Sequence, residues 1–582
     1  MKILKKLVGE NFFLIFIAFY LVVRVLMFNI NYAEWGDTFR MIRAAEFLSN
    51  GYWPWDEKRW PFYSVLLIPG IWLNSSIFWG RFLSFLISLA TFAFIYRFYI
   101  KLVNDFKSGR TEGENHVNRS SIFNIFAYIK GIFRRSAQTS DDQFASLAVM
   151  ILALSPVYAY WSFRVMADLV FALLILVYAY YFIKNYQKSS KLIDPNMDVM
   201  LSLLLLCITM TRLEGLFMLF GSVAFFALAK NAKKLILYII PQALVYFPFT
   251  LYAKVLYNGP ISNDYLKEAQ NFVFNFERLA YFFTSTIFIL VFPPLLYFLI
   301  RGIILLKNAV LKADSKIYLP YLPLGLFILQ ELLIGFIWTP SLPRIYMPII
   351  PFLVMLAVYG FGHWIPKKND FTALGLILFS TIAFAGLQYS YKLYFLGASK
   401  VLFGITLLLS LVFVAALYLW SSNPKIKSFL AAIIVLSGLI SSSVIIYNQK
   451  DIYKSVYQGA MFARDLASQS PYKERIAYAD ETGTTSWYLK DTYIYYLEQD
   501  KTMKDLNEQY KLLSENEVSY LIVTNEFNRG SQFLDPKADP RYSLAAVFSV
   551  PVYDLADYVL NYFGLMPELD SDLFITKVYK VL

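Results

Sequence analysis

NYAEWGDTFRMIRAAEFLSNGYWPWDEKRWPFYSVLLIP, residues 31 to 69, is a polar island in an apolar chain, with five acids, four basic residues and four tryptophans. Apolar runs near 11 to 30 and 77 to 99 flank it, each close to the ~20 residues a helix needs to cross hydrocarbon. The island therefore reads as a loop between two membrane spans, extending from about 31 to 76. Within it, DTFRMIRAAEFL has helical periodicity, and Asp37 stands where an N-cap belongs.

The rest of the chain fits that reading. Over 582 residues, 58% are hydrophobic, 19% aromatic and only 16% charged, too little polar surface for a soluble fold of this length. The net charge of +12 does not point to nucleic acid, because it is unevenly placed: residues 448 to 582 hold 14 basic and 20 acidic residues, leaving +18 on residues 1 to 447. Basic residues in the apolar part are explained by loop anchoring. The single cysteine, Cys207, excludes an intrachain disulfide and any cysteine-based metal site.

Further apolar runs near 144 to 160, 166 to 183, 198 to 211, 213 to 229, 235 to 257, 281 to 305, 319 to 338, 344 to 363, 371 to 388, 401 to 420 and 428 to 447 bring the expected spans to thirteen. Lys2, Lys5 and Lys6 place the N-terminus in the cytoplasm, and alternate loops carry clusters such as Lys184, Lys188 and Lys191, or Lys230, Lys233 and Lys234. Arg24 interrupts the first run and no small-residue cleavage site follows, so the run reads as a span rather than a signal peptide. By parity, residues 31 to 76 lie outside. Residues 100 to 143 form a cytoplasmic insert, in which Ile122, Phe126, Ile129 and Phe133 share one face of an amphipathic helix expected on the inner leaflet. Residues 448 to 582 lie outside and change character. Strand-like runs at 475, 492, 518 and 573, with a helical stretch near 502 to 514, predict a small α/β domain.

Ionisable residues at or in spans are costly, so each outer-side one is a functional candidate: Glu34, Asp37, Arg59, Arg81, Arg164, Asp168, Arg212, Glu214 and Arg344. Each also has a structural reading. Asp37 as a helix cap is one, Arg164 and Asp168 as an i,i+4 pair is another, and Arg212 with Glu214 as markers of a turn is a third. Arg344 at a span start reads also as a snorkelling side chain, and most of the tryptophans and tyrosines as an interfacial belt. Several arginines on one face of the membrane suit a phosphate-bearing lipid-linked substrate, since guanidinium binds phosphate in a fork and keeps its charge. A nearby carboxylate suits proton removal from an acceptor hydroxyl.

With these pieces together, the chain resembles the GT-C glycosyltransferases, and among them the protein O-mannosyltransferase and lipid A aminoarabinose transferase group. The matching segments are GDTFRMIRAAEFLSNG, KRWPFYSVLLIPG, GRFLSFLISLATFAFIY, SPVYAYWSFRVMADLVFALLIL, TRLEG and PRIYMPIIP, spread over residues 1 to 360. The resemblance implies a polytopic α-helical, GT-C-like membrane module over 1 to 447 with an extracytoplasmic α/β domain over 448 to 582, in a cell (inner) membrane. It places the catalytic acid on Asp37, with Glu34 and Asp168 competing for a second acid, because Thr38 stands where the group often has Glu. It places the donor phosphate on Lys58 or Arg59 and on Arg344. Arg81, Arg164, Arg212, Glu214 and Tyr346 are the further candidates for contact with the substrate.

The chemistry implied is a single inverting displacement. Asp37 deprotonates a lipid, glycan or protein acceptor, which attacks the anomeric carbon as polyprenyl phosphate departs. Some members of the group use a divalent ion (Mg or Mn) and others none, which leaves the cofactor open. The two histidines, His116 and His363, both fall on the expected cytoplasmic side. Two other readings share the lipid-linked substrate: a transporter or flippase of lipid-linked saccharide, and a polymerase or ligase of lipid-linked glycans. The first is disfavoured by the lack of a clear internal repeat.

Overall fold

The computed structural model describes residues 12–53, 59–108, 140–187, 195–256, 292–312, 315–337, 343–365, 373–382, 400–420, 425–448, 450–470, 474–479, 484–489, 492–497, 503–525, 533–552 and 572–582. Lys58, His116, the expected amphipathic helix of the insert and the first part of the expected 281 to 305 span lie outside these residues. The chain divides into two compact units: Met1–Phe28 with Gly51–Ser443, and Asn29–Asn50 with Val444–Leu582. Half of the polar island that follows the first apolar run, Asn29–Asn50, thus groups with the C-terminal residues, and the other half with the membrane helices.

Among the described residues the first unit is helical. Most expected spans fall on helices, among them Phe12–Leu26, Ser76–Ser108, Ala167–Tyr186, Pro195–Thr209, Gly215–Leu228, Leu322–Ile337, Ile350–Gly362 and Lys400–Trp420, with Ile426–Asn448 running on past the unit boundary. Among the described residues, five helices are long and apolar enough to cross a membrane, or six if a bent pair counts as one span.

The structure departs from the expected spans in four places. The run at 144 to 160 is not one helix but two, Asp141–Ala153 and Pro156–Ser162, bent by 64°. Pro156 opens the second piece, and proline both lacks an N–H and pushes the residue before it, Ser155, out of the helical region. The run at 235 to 257 carries a π-turn at Gln242–Tyr246 directly after Pro241. Arg344 sits in a short 3-10 turn, Pro343–Tyr346, and the helix proper begins only at Ile350. Phe62–Trp72, counted with the outer loop in the sequence, is an apolar helix of its own.

Small residues set the closest helix contacts. The Pro294–Lys312 helix lies against Ile350–Gly362 with Gly302 and Gly360 at the crossing, where a Cβ on Gly360 would fall 2.0 Å from the Phe298 carbonyl oxygen. That oxygen belongs to backbone and cannot swing away. Gly360→Ala should therefore force the two helices apart and cost about 1–3 kcal/mol, read as a lower unfolding temperature in detergent. An unchanged melting curve would mean that the helices are not in contact at this point.

In the second unit a five-stranded mixed sheet has the order β2-β1-β3-β5-β4, with β1 Arg475–Tyr478, β2 Tyr493–Tyr496, β3 Val518–Thr524, β4 Tyr542–Val552 and β5 Asp572–Val581. Four of these match the strand-like runs in the sequence. β4 was not expected. It is an edge strand, largely exposed, with an irregularity between Leu544 and Ala546 and a proline at 551, and so lacks the clean alternation of a half-buried strand. The helix Leu506–Glu515 matches the expected one and begins in a reciprocal cap: Asp505 accepts from the N–H groups of Asn507 and Glu508, while Glu508 accepts from the Lys504 N–H. A further helix, Lys454–Gln469, covers the sheet, with Gly459 against Thr576 and the Ser455 and Thr576 hydroxyls 2.9 Å apart.

Candidate functional site

Asp37 lies on the Gly36–Ser49 helix, which the second unit holds by aromatic contacts. Phe39, 2% exposed, stacks on Trp487 at 5.4 Å and meets Tyr488 edge-on at 5.3 Å. Trp35 meets Tyr453 at 5.4 Å, Tyr32 meets Tyr457 at 5.4 Å, and the Tyr32 N–H donates to the Lys450 carbonyl at 3.1 Å. The capping role expected for Asp37 is not the one found. Trp35 is the N-cap, its side chain makes no cap bond, and Asp37 is the second helical residue. There its carboxylate adds favourably to the positive end of the helix dipole and stays half-buried. Glu34 is wholly buried.

In the first unit, charges gather at the TRLEG turn between Pro195–Thr209 and Gly215–Leu228. Arg212 grips Glu214 with two bonds, Nη2 to Oε1 at 2.5 Å and Nε to Oε2 at 3.3 Å, and its Nη1 pairs with Asp168 in the first turn of Ala167–Tyr186. The turn is shaped by Gly215, where a Cβ would meet the Ile208 carbonyl oxygen at 2.7 Å. Arg212 also lies 5.7 Å from the Phe171 ring. Asp168 thus pairs with Arg212, 44 positions away, and not with Arg164 as the i,i+4 spacing suggested. The reason is local. The helix begins at Ala167, so Arg164 stands before it in irregular backbone and the two are never one turn apart on a common helix.

Arg164 is fully buried, its guanidinium 5.0 Å from the Tyr160 ring. Its carbonyl accepts from the Ser84 hydroxyl at 2.9 Å. That contact needs the Ser76–Ser108 helix to come close, and Gly80 permits it, since a Cβ there would strike Val165 at 2.5 Å. Arg81, next to Gly80, is buried on the same helix. Arg344 is half-buried, 5.5 Å from the Trp161 ring, and interacts electrostatically with Glu214. The broken span explains its partner: the short Pro156–Ser162 piece brings Tyr160 and Trp161 to Arg164 and Arg344. Tyr346 is buried two residues beyond Arg344.

Arg59 is half-buried, and the residues after it are pinned to the same turn. The Phe62 N–H donates to the Met210 carbonyl at 3.0 Å, and Trp60 packs on Met210 and on Tyr246, 4.7 Å away in the π-turn. That turn is held in place by Gln242, whose amide oxygen accepts from the Thr209 hydroxyl at 2.8 Å.

The first unit therefore brings together Asp168, Arg212, Glu214 and Arg344, and anchors the Arg59 segment beside them. It adds one residue that the sequence reading passed over, Glu331, in the apolar helix Leu322–Ile337. Glu331 is 1% exposed and interacts electrostatically with Glu214, Arg212 and Asp168. The signal is present in the sequence, since a carboxylate inside a span is itself a functional marker, but Glu331 lies inside its apolar run, away from the span ends where the other charges stand. Among the described residues no three His, Cys, Asp or Glu side chains converge as metal ligands. Asp168 and Glu214 are bound to a guanidinium, an arrangement that does not fit a divalent ion.

No family model matches the sequence, and no curated protein sequence does. Solved structures do match. The chain is similar to ArnT from Cupriavidus metallidurans bound to undecaprenyl phosphate, with TM-score 0.53 and 13% identity over 98% of both chains. It is similar to the same protein in the apo state, with TM-score 0.53 and 12% identity over 97% of both chains. A third match is the Archaeoglobus fulgidus oligosaccharyltransferase tethered with an acceptor peptide, with TM-score 0.46 and 10% identity over 89% of this chain and 69% of that one. The fold is that of ArnT over nearly the whole of both chains, with a small sheet-containing domain at the C-terminal end.

Proposed function

We propose that this chain is an integral-membrane glycosyltransferase that moves a sugar from a polyprenyl-phosphate carrier to an extracytoplasmic acceptor. The observation that carries the reading is the Arg212–Asp168–Glu214 cluster with Arg344 beside it, built within a fold shared end to end with a protein solved with undecaprenyl phosphate. Arg344 and Arg59 hold the donor phosphate and stabilise the charge that grows on it as the glycosidic bond breaks. Asp37 takes the proton from the attacking hydroxyl or amine. The lysine-rich loops then face the cytoplasm, and both the Asp37 loop and the C-terminal domain face outward, in a cell membrane.

Purified protein incubated with candidate polyprenyl-phosphate sugars and acceptors should release free polyprenyl phosphate. Failure to release it from any donor, with the protein folded, removes the reading in favour of a flippase of the same lipid. Arg344→Ala and Arg59→Ala should each weaken donor binding by roughly ten- to hundredfold, the range of a charge-assisted hydrogen bond. Unchanged affinity in both would assign the arginines to anchoring alone.

A further inference from the structure

Glu331 lies four residues beyond Phe327 on the Leu322–Ile337 helix, so the two share a face. Phe327 packs edge-on against Phe171, with ring centroids 5.9 Å apart, and Phe171 stands three residues after Asp168. Near the other end of the Ala167–Tyr186 helix, Gln187 donates to the Ile317 carbonyl at 2.7 Å, so the two helices run antiparallel. One turn past the Phe327–Phe171 contact therefore carries Glu331 to the level of Asp168, consistent with its electrostatic coupling to Asp168, Arg212 and Glu214.

Arg212 spends its donors on Asp168 and Glu214, and neither carboxylate oxygen of Glu331 receives a hydrogen bond among the described residues. The amide of Gln330, the next residue and 5% exposed, is also without a partner at both its oxygen and its nitrogen. A buried carboxylate with no donor is costly, and natural folds keep such groups where a ligand completes them. Beside it stand two further carboxylates, Asp168 and Glu214, and Arg212, whose bonds go to those two, a balance that calls for hydrogen-bond donors at Glu331.

We propose that Glu331 is the sugar-binding residue of the donor site, its buried carboxylate accepting hydrogen bonds from the hydroxyl or amino groups of the transferred glycosyl unit. The proposal rests on the polyprenyl-phosphate-sugar reading above and adds to it which part of the donor each pole of the cluster takes: the arginines the phosphate, Glu331 the sugar.

The test compares the intact protein and Glu331→Gln in detergent, measuring binding of polyprenyl phosphate alone and of a panel of polyprenyl-phosphate neutral and amino sugars. The wild type should bind at least one sugar-bearing lipid more tightly than the bare carrier. Glu331→Gln should lose roughly ten- to hundredfold of that affinity while binding the bare carrier within about twofold of wild type. Its apo form should melt no lower than wild type, because a buried acid without a hydrogen-bond partner has been removed, and its gain in melting temperature on adding the sugar donor should shrink. A loss confined to amino sugars identifies an ammonium partner, and a loss with neutral sugars a hydroxyl; either supports the subsite. Equal loss for bare and sugar-bearing lipid, or no loss for either, overturns it. So does a wild type that gains nothing from any sugar. A wild type that binds no polyprenyl phosphate at all removes the donor reading itself, and the proposal with it. Should Glu331→Gln not fold, Glu331→Asp, which keeps the charge and shortens the reach, is expected to give the same selective loss.

Discussion

Asp37→Asn should lower the rate of sugar transfer by about 10²–10⁴-fold, the usual contribution of a positioned general base, while leaving the protein folded and donor binding intact. Asparagine keeps the shape of the side chain but cannot accept a proton. Its structural cost should be small. Asp37 is half-buried at the second position of its helix and is not the N-cap, so the change removes only a dipole interaction worth about 0.3–1 kcal/mol. Activity and stability are thereby separable at this residue. Glu34, fully buried three positions earlier, provides the contrast: Glu34→Gln should move the melting temperature, and any loss of activity should track that loss of fold. Purified variants assayed for released polyprenyl phosphate and for thermal unfolding decide between the two. Full transfer activity in a folded Asp37→Asn protein would falsify the assignment of the base.

Much of this arrangement is readable in the chain because membrane physics writes itself in long words. A span needs about 20 apolar residues, so the helical unit, and the charges that interrupt its apolar runs, emerge from hydropathy. The local partners of those charges do not. Asp168 chose Arg212 because both ends of the pair are set by where helices start, and the start at Ala167 depends on the break at Ser155–Pro156 and the close approach at Gly80. Such tertiary contacts leave no period in the sequence. Pro156 itself was visible, as was Pro241, and a stricter use of proline as a helix boundary would have predicted both irregularities. β4 was hidden for the opposite reason, since an exposed edge strand has no buried face to alternate with. The grouping of Asn29–Asn50 with Val444–Leu582 rests on Phe39, Trp35 and Tyr32, of which Trp35 and Tyr32 also suited an interfacial belt.

Arg212→Met should be the most destabilising single change in the first unit, by about 3–5 kcal/mol, because it strands two carboxylates whose charge it now neutralises. Asp168 and Glu214 have side-chain exposures of 5% and 15%, so water replaces the lost guanidinium poorly. The loss need not mean that the cluster itself stabilises the fold. Desolvating three ions can cancel their attraction, and a matched apolar or neutral set in their place can be as stable. The distinction is measurable. Arg212→Met combined with Asp168→Asn and Glu214→Gln should recover most of the melting temperature lost by Arg212→Met alone, since neither of the carboxylates that Arg212 held is then left charged. Arg212→Lys should fall between, as one ammonium cannot make the two-pronged bond to Glu214 and reach Asp168 as well. If the triple variant is as stable as wild type yet transfers no sugar, the cluster is kept for the substrate and not for the fold. If Arg212→Met alone melts like wild type, the three side chains are not paired in the folded protein, and the electrostatic surroundings assigned to Glu331 fall with them.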